Sequence, residues 1–224
     1  MLFLLAALLC LVHGVKGATN STMTGDLYVF AYSWEAEFCY GTEYPGCSKP
    51  MPYWKDHFTI HGLWPQYSTG GYPADCTTEP YDVSSAKYVG WETMIQYWPD
   101  VQYVVTDPEY PQFWEHEWTK HGTCSGLSQD DYFQTTINLA KSFGTPQCLM
   151  DAADAGTDVD AATLRTQMGG SSYASLQCTS GKYLSGVYTC WKEENGIPTT
   201  QTECPADVLS EDNCTSDTLV VETF

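Results

Sequence analysis

Positive charge is scarce in this chain of 224 residues: nine lysines and arginines stand against 28 aspartates and glutamates, the net charge is −19, and Arg165 is the single arginine. Proteins that hold nucleic acid stably present a basic stripe or patch, so the composition argues against a stable nucleic-acid-binding module. Long hydrophobic runs are also missing. The longest, Leu2 to Val15, has 14 residues and is interrupted by His13 and Gly14, short of the roughly 20 that a membrane-spanning helix needs. That length, with Val15-Lys16-Gly17 before Ala18, fits a secretory leader over residues 1–17. No Pro/Gly/Ser linker, repeat or low-complexity block divides the remainder. Residues 18–224 are therefore read as one domain without a membrane anchor.

Histidine is sparse too, and three of the five histidines fall in two short segments: His61-Gly62-Leu63-Trp64-Pro65 and Glu115-His116-Glu117-Trp118-Thr119-Lys120-His121-Gly122-Thr123-Cys124. The second segment has no Pro or Gly before Gly122, and Phe113, Trp114 and Trp118 recur at helical offsets, which predicts a short helix ending at Gly122. On it Glu117 lies four residues before His121 and three before Lys120, so a carboxylate, an ammonium and an imidazole share a face. A zinc helix of the His-Glu-x-x-His type is the competing reading. Here Lys120 occupies the second histidine position, and His116 and His121 are separated by about 140° around a helix of 3.6 residues per turn. The Lys120 ammonium would also repel a cation. Two imidazoles and a cation without a metal suit an anionic transition state such as that of phosphodiester cleavage. There one imidazole takes a proton from an internal hydroxyl, the other protonates the leaving alkoxide, and the cation neutralises the phosphorane.

The segments Phe58-Thr59-Ile60-His61-Gly62-Leu63-Trp64-Pro65 and Phe113-Trp114-Glu115-His116-Glu117-Trp118-Thr119-Lys120-His121-Gly122-Thr123-Cys124 resemble, in order, the two active-site signatures of the T2 ribonucleases. These are acid endoribonucleases of secretory and lysosomal or vacuolar compartments. A weaker likeness extends to Trp34 followed by Cys39, to Val187-Tyr188-Thr189-Cys190 and to Glu203-Cys204-Pro205, while Cys148 to Asp160 looks idiosyncratic. The resemblance implies a single α+β domain, a central antiparallel sheet flanked by helices and stapled by disulfides. It implies a metal-independent enzyme with no cofactor that cleaves single-stranded RNA by transphosphorylation to 2′,3′-cyclic phosphates, then slowly to 3′-phosphates, with low base specificity. DNA, lacking the 2′-hydroxyl, should be inert.

By the same resemblance His61 protonates the 5′-oxygen leaving group, His121 takes the proton of the 2′-hydroxyl, and Glu117 and Lys120 stabilise the phosphorane and tune His121. His116 contacts phosphate, with a structural hydrogen bond as its alternative. Trp64 and Tyr72 resemble aromatic walls that stack a base, although Trp64 equally suits packing beneath the motif. Gln66 stands where many relatives carry Asp that reads the base edge, so the preferred base is open: an amide both donates and accepts and should discriminate less on charge. Phe113 is a candidate wall of a second base site; Trp114 and Trp118 are read as core.

Ten cysteines, with Cys10 in the leader, leave nine, so at least one is unpaired within a monomer. Connectivity is open from the sequence alone; the resemblance implies Cys39 with Cys47, Cys76 with Cys124, Cys178 with Cys214 and Cys190 with Cys204. Cys148 is then a buried free thiol or the site of an intermolecular disulfide in an otherwise monomeric protein. Asn20-Ser21-Thr22 and Asn213-Cys214-Thr215 are glycosylation sequons at Asn20 and Asn213. The localisation expected is the secretory pathway, with an extracellular or lysosomal/vacuolar destination. The rival reading, from a different class, is an interaction or signalling protein that keeps the fold and acts without cleavage.

Along the chain, Asp26–Trp34 predicts a strand covered on both faces and His57–His61 another that delivers His61 to its end. Helices are expected over Ser84–Trp98, over Ser128–Phe143 with Ser128 and Asp131 capping and Gly144 closing, and over Ala161–Met168. Val101–Val105, Tyr173–Cys178 and Tyr183–Trp191 are the remaining strand candidates.

Overall fold

The structure, a computed structural model, describes residues 23–224; the expected leader and the Asn20 sequon lie outside the described residues. In chain order the elements are β1 (Leu27–Ser33), α1 (Glu35–Cys39), β2 (Thr59–Gln66), α2 (Val83–Val89), α3 (Trp91–Tyr97), α4 (Gln112–Lys120), α5 (Gln129–Phe143) and α6 (Gln147–Ala155). There follow β3 (Val159–Asp160), α7 (Ala161–Gln167), β4 (Ala174–Thr179), β5 (Tyr183–Glu194), β6 (Ile197–Thr202), α8 (Ala206–Leu209) and β7 (Thr218–Leu219). Among the described residues no helix is long and apolar enough to cross a membrane.

The central sheet is antiparallel in the order β2-β1-β5-β4, with β6 pairing the far end of β5; β3 and β7 form a separate small ladder. β1 is buried on both faces, as its non-alternating run of apolar residues requires. Tyr28, Phe30 and Tyr32 point into the main core with Trp34, Trp54, Phe58, Trp98 and the aromatic residues of α4 and α5. Leu27 and Val29 point to a smaller cluster with Cys190, Cys204 and Val208, which ties α8 to the sheet.

The elements depart from the sequence expectations at four places. β2 begins at Thr59 and runs on to Gln66, so His61 is near its start rather than at its end. The helix expected over Ser84–Trp98 is two, broken at Gly90, whose φ of +111° no helix accommodates. Val101–Val105 is a series of turns: Val101 is buried, but Val104 and Val105 are exposed and no strand among the described residues pairs with them. The strands β3, β6 and β7 and the helices α1, α6 and α8 had no expectation. The caps of α5 are as read: Ser128 Oγ accepts from the Asp131 amide, and Gly144 ends the helix at φ +72°.

Four disulfides, Cys39–Cys47, Cys76–Cys124, Cys178–Cys214 and Cys190–Cys204, join the four pairs named above. Such a set fits folding in an oxidising, secretory compartment. Cys148, on α6, is free and half-buried. The Cys76–Cys124 bond closes a separation of 48 residues, for which loop entropy corresponds to roughly 4 kcal/mol. The double variant Cys76→Ser/Cys124→Ser should therefore lose about that much stability in urea unfolding. A loss well under 1 kcal/mol would mean that the bond does not constrain the unfolded chain.

Candidate active site

His61 owes its position to an irregularity in the sheet. In the β1–β2 ladder Ala31 faces Gly62 and Tyr32 faces Ile60, which leaves His61 as the extra residue of a bulge. A bulge turns one side chain away from the regular alternation and is a recurrent way of aiming a functional group. The backbone there is held by the Trp98 indole, which donates to the His61 carbonyl at 3.0 Å. Ser33 Oγ lies 3.4 Å from His61 Nδ1.

α4 supplies the other groups, and its two faces divide them. Trp114, Glu117, Trp118 and His121 follow the i, i+3, i+4, i+7 pattern of a buried stripe; Trp114 and Trp118 are core, donating to the carbonyls of Trp98 and Glu79. Glu117, at 1% exposure, thus sits in an apolar stripe. The neighbouring face carries Phe113, His116 and Lys120, which are partly or fully exposed. The single shared face expected from the sequence is therefore two adjoining ones. Gly122 does not act as a left-handed cap; its φ is ordinary and the helix tightens into a 3₁₀ turn, Gly122–Cys124. It is glycine for space, because a Cβ there would overlap the rings of Trp118 and Tyr132.

The two segments meet at Trp64. Its indole Nε1 donates to Glu117 Oε2 at 2.8 Å, its ring stacks on His121 with centroids 5.1 Å apart, and its edge meets His61 at 5.3 Å. Gly62 leaves room for this arrangement, since a Cβ on it would overlap both Glu117 Oε2 and the Trp64 nitrogen. Trp64 consequently orders the site from within as well as lining it.

A cleft of about 380 Å³ is lined by His61, Trp64, Gln66, Tyr72, His116, Glu117, Lys120 and His121, together with Tyr188, Asp207 and Glu211. The Lys120 ammonium lies 5.9 Å over the Tyr72 ring. A second cleft of about 190 Å³ opens on the other side of His61, between Ser33, Glu35, Phe38, Asp100 and Phe113, whose edge stands 5.5 Å from His61. Every site residue singled out in the two motifs therefore borders one cleft or the other. Ser33, Glu35, Asp100, Tyr188 and Asp207 were not foreseen: they come from the end of β1, α1, a turn after α3, β5 and α8, and no local pattern marks them.

Burial dominates the electrostatics. It pushes the His61 imidazole down to about 4, helped by His116 and Lys120. It pushes His121 down to about 3, helped by Lys120, His116 and His61; His121 Nδ1 is buried with no hydrogen-bond partner among the described residues, so an added proton there would be poorly compensated. His116 is lowered by burial and then Lys120. Glu117 is raised to about 8 by burial, against the hydrogen bond from Trp64 and the charge of Lys120. The carboxyl is thus largely protonated up to neutral pH, so it does not tune His121 as a negative charge there. In the second cleft burial raises Glu35 to about 7 and also raises Asp100.

Comparison with known proteins agrees with this geometry. The model of the ribonuclease T2 family matches residues 25–204. The chain is 37% identical to Ribonuclease 1 of Arabidopsis thaliana over 60% of its length and 58% of that protein, so the match spans less than two thirds of that relative. It is 34% identical to Ribonuclease DdI of Dictyostelium discoideum over 74% of this chain and 73% of that one. The crystal structure of RNase NT in complex with 5′-AMP superposes with a TM-score of 0.58 at 26% identity, covering 81% of this chain and 98% of that one. The chain belongs to the ribonuclease T2 family.

Proposed function

We propose that this chain is a metal-independent endoribonuclease that cleaves single-stranded RNA by transphosphorylation. The observation that carries the reading is that one indole, Trp64, touches both His61 and His121 while Lys120 and His116 border the same cleft. Two imidazoles and an ammonium around one cavity suit an in-line displacement at phosphorus, with proton removal and proton delivery by different groups. The attacking 2′-hydroxyl belongs to the nucleoside in the larger cleft, which holds both histidines. The leaving nucleoside belongs in the smaller cleft, which only His61 reaches. That arrangement makes His121 the base and His61 the acid, and His61 is the imidazole that protonates more readily.

Glu117 acts as a protonated acid: Oε2 accepts from Trp64, so its proton is free to be donated from Oε1 to a phosphoryl oxygen. Lys120 and His116 hold the phosphate, and Trp64, Tyr72 and Gln66 bound the first base site, with Phe113 at the second. Products are 2′,3′-cyclic phosphates, and DNA is not a substrate. The domain spans residues 18–224 behind a leader over residues 1–17, and the protein is a monomer of the secretory pathway, with an extracellular or lysosomal/vacuolar destination. Asn20 and Asn213 are its glycosylation sites. Cys148 is a free thiol whose pKa burial raises, which slows oxidation and disfavours an intermolecular disulfide.

The test is incubation of the folded protein with single-stranded RNA and matched DNA in EDTA, reading the product ends by mass spectrometry. Cyclic phosphates should appear from RNA alone, and His61→Phe should lower kcat/KM by roughly 10² to 10⁴. Uncleaved RNA at every pH from a folded protein would instead favour the non-enzymatic interaction role.

Glu117→Gln keeps an N–H donor and should stay within about tenfold of the parent, whereas Glu117→Ala removes the donor and should cost on the order of 10² to 10³ in kcat. Equal losses in the two variants would rule out a donating role.

Below about 3 both imidazoles are charged and no base remains; above about 4 both are neutral and no acid remains. The kcat/KM profile should therefore fall on both sides of this acid window, with apparent values that belong to the coupled pair. The kcat optimum should lie higher, because bound phosphate favours imidazolium. Lys120→Ala removes a positive neighbour of both histidines and should shift both limbs upward while lowering the maximum. An unshifted profile would show that Lys120 does not act on the imidazoles.

A further inference from the structure

Gln66 is buried at 4% exposure, so its amide must find partners within the protein or from a ligand. Its Nε2 donates to Asp207 Oδ2 at 3.1 Å. The nitrogen is the donor in this contact, so the amide carbonyl Oε1 is directed away from Asp207. The same Oδ2 accepts from the Gly71 amide at 2.7 Å. Asp207 Oδ1 is buried and has no partner among the described residues. Gln66, Gly71 and Asp207 all border the larger cleft, and Glu211 adds a further carboxyl at that end. Oδ2 takes one Gln66 N–H and the Gly71 N–H, which leaves Gln66 Oε1 and Asp207 Oδ1 as acceptors without a partner among the described residues.

We propose that Asp207 is a positioning residue that locks the Gln66 amide with its oxygen toward the substrate, so that the first base site favours bases bearing an exocyclic amino group and disfavours uracil. The inference rests on the ribonuclease reading given above. It adds a base preference to the expectation that an amide at position 66 discriminates less on charge. Guanine, adenine and cytosine each carry an amino donor, whereas uracil offers one N–H flanked by two carbonyl oxygens that would face acceptors. Unmatched polar atoms in a buried site are the strongest source of discrimination between similar ligands. The position of Asp207 is itself fixed, because α8 follows Cys204, which is bonded to Cys190 on β5.

The experiment measures kcat/KM on the dinucleoside monophosphates GpA, ApA, CpA and UpA, which vary the first base, and on ApG, ApA, ApC and ApU, which vary the second. The wild-type protein should cleave UpA at least about tenfold less efficiently than the best of its series. Asp207→Ala releases the amide and should bring UpA to within about threefold of the rest of the series, whereas Asp207→Asn keeps an acceptor oxygen for the Gln66 and Gly71 N–H groups and should retain the penalty. Ratios in the second series should not move, which separates this effect from general damage to the site. A wild-type protein without the uridine penalty, or an Asp207→Ala variant that retains it, would overturn the role of Asp207 and leave the ribonuclease reading intact. Failure of folded wild-type protein to cleave any member would overturn that reading and this inference with it.

Discussion

The hydrogen bond from the Trp64 indole to Glu117 is the contact through which β2 and α4 become one site. It places a strand residue and a helix residue 53 positions apart at 2.8 Å, in space that exists only because position 62 is glycine. From that contact the rest follows by packing. Trp64 has its ring fixed, so His121 is held by stacking and His61 by an edge contact. Tyr132 of α5 supports the same strand by donating to the Leu63 carbonyl at 2.9 Å, and its ring, with that of Trp118, leaves room only for a glycine at position 122. The far end of α4 is held by the Cys76–Cys124 bond and by the Asp75 amide, which donates to the Lys120 carbonyl at 3.0 Å. Groups that move protons must be positioned to within fractions of an ångström, and here both ends of the helix and the facing strand are tied.

Burial also sets the chemistry. A carboxyl in an apolar stripe stays protonated, and an imidazole between aromatic rings stays neutral, because the low-dielectric surroundings penalise whichever form is charged. Around the two imidazoles, Lys120 is therefore the neighbouring charged group, while the carboxyls of Asp207 and Glu211 line another part of the cleft. In the proposed reaction an arriving phosphate would supply the negative charge that the imidazoles lack a partner for, and so raise their proton affinity where a proton is needed. Acid conditions favour the same state, and they also reduce the repulsion between RNA and a surface with net charge −19.

The sequence carried the two motifs, and with them the chemistry, because each is contiguous and dense in reactive side chains. It also carried the strongly periodic elements: β1, α4, α5 and its caps. What it did not show has physical causes. The bulge at His61 depends on the register against β1, which no single segment encodes. The break at Gly90 replaced one helix by two because a glycine in a helical pattern is compatible with either outcome until tertiary packing decides. The division of α4 into two faces was hidden by Glu117, whose charge suggests solvent exposure while its position in the Trp114–Trp118 stripe demands burial. Asp207 and Glu35 reach the clefts from segments distant in sequence, and an isolated carboxylate in a chain with 28 of them gives no signal.

The use of the single arginine explains how so acidic a protein still directs its few cations. Arg165 on α7 makes a two-pronged contact with Asp212, its Nη2 to Oδ1 at 2.8 Å and its Nε to Oδ2 at 3.1 Å. Asp212 in turn accepts from the amides of Leu176 and Cys214. The guanidinium is thereby committed to fastening the segment after α8 against β4, next to the Cys178–Cys214 bond, and takes no part in either cleft. The strongest phosphate-binding side chain available is used as a structural clamp, and that clamp steadies the C-terminal segment carrying Asp207 and Glu211 to the cleft. In the proposed reaction the phosphate is left to the Lys120 ammonium and to imidazoles whose proton affinity a bound anion would raise.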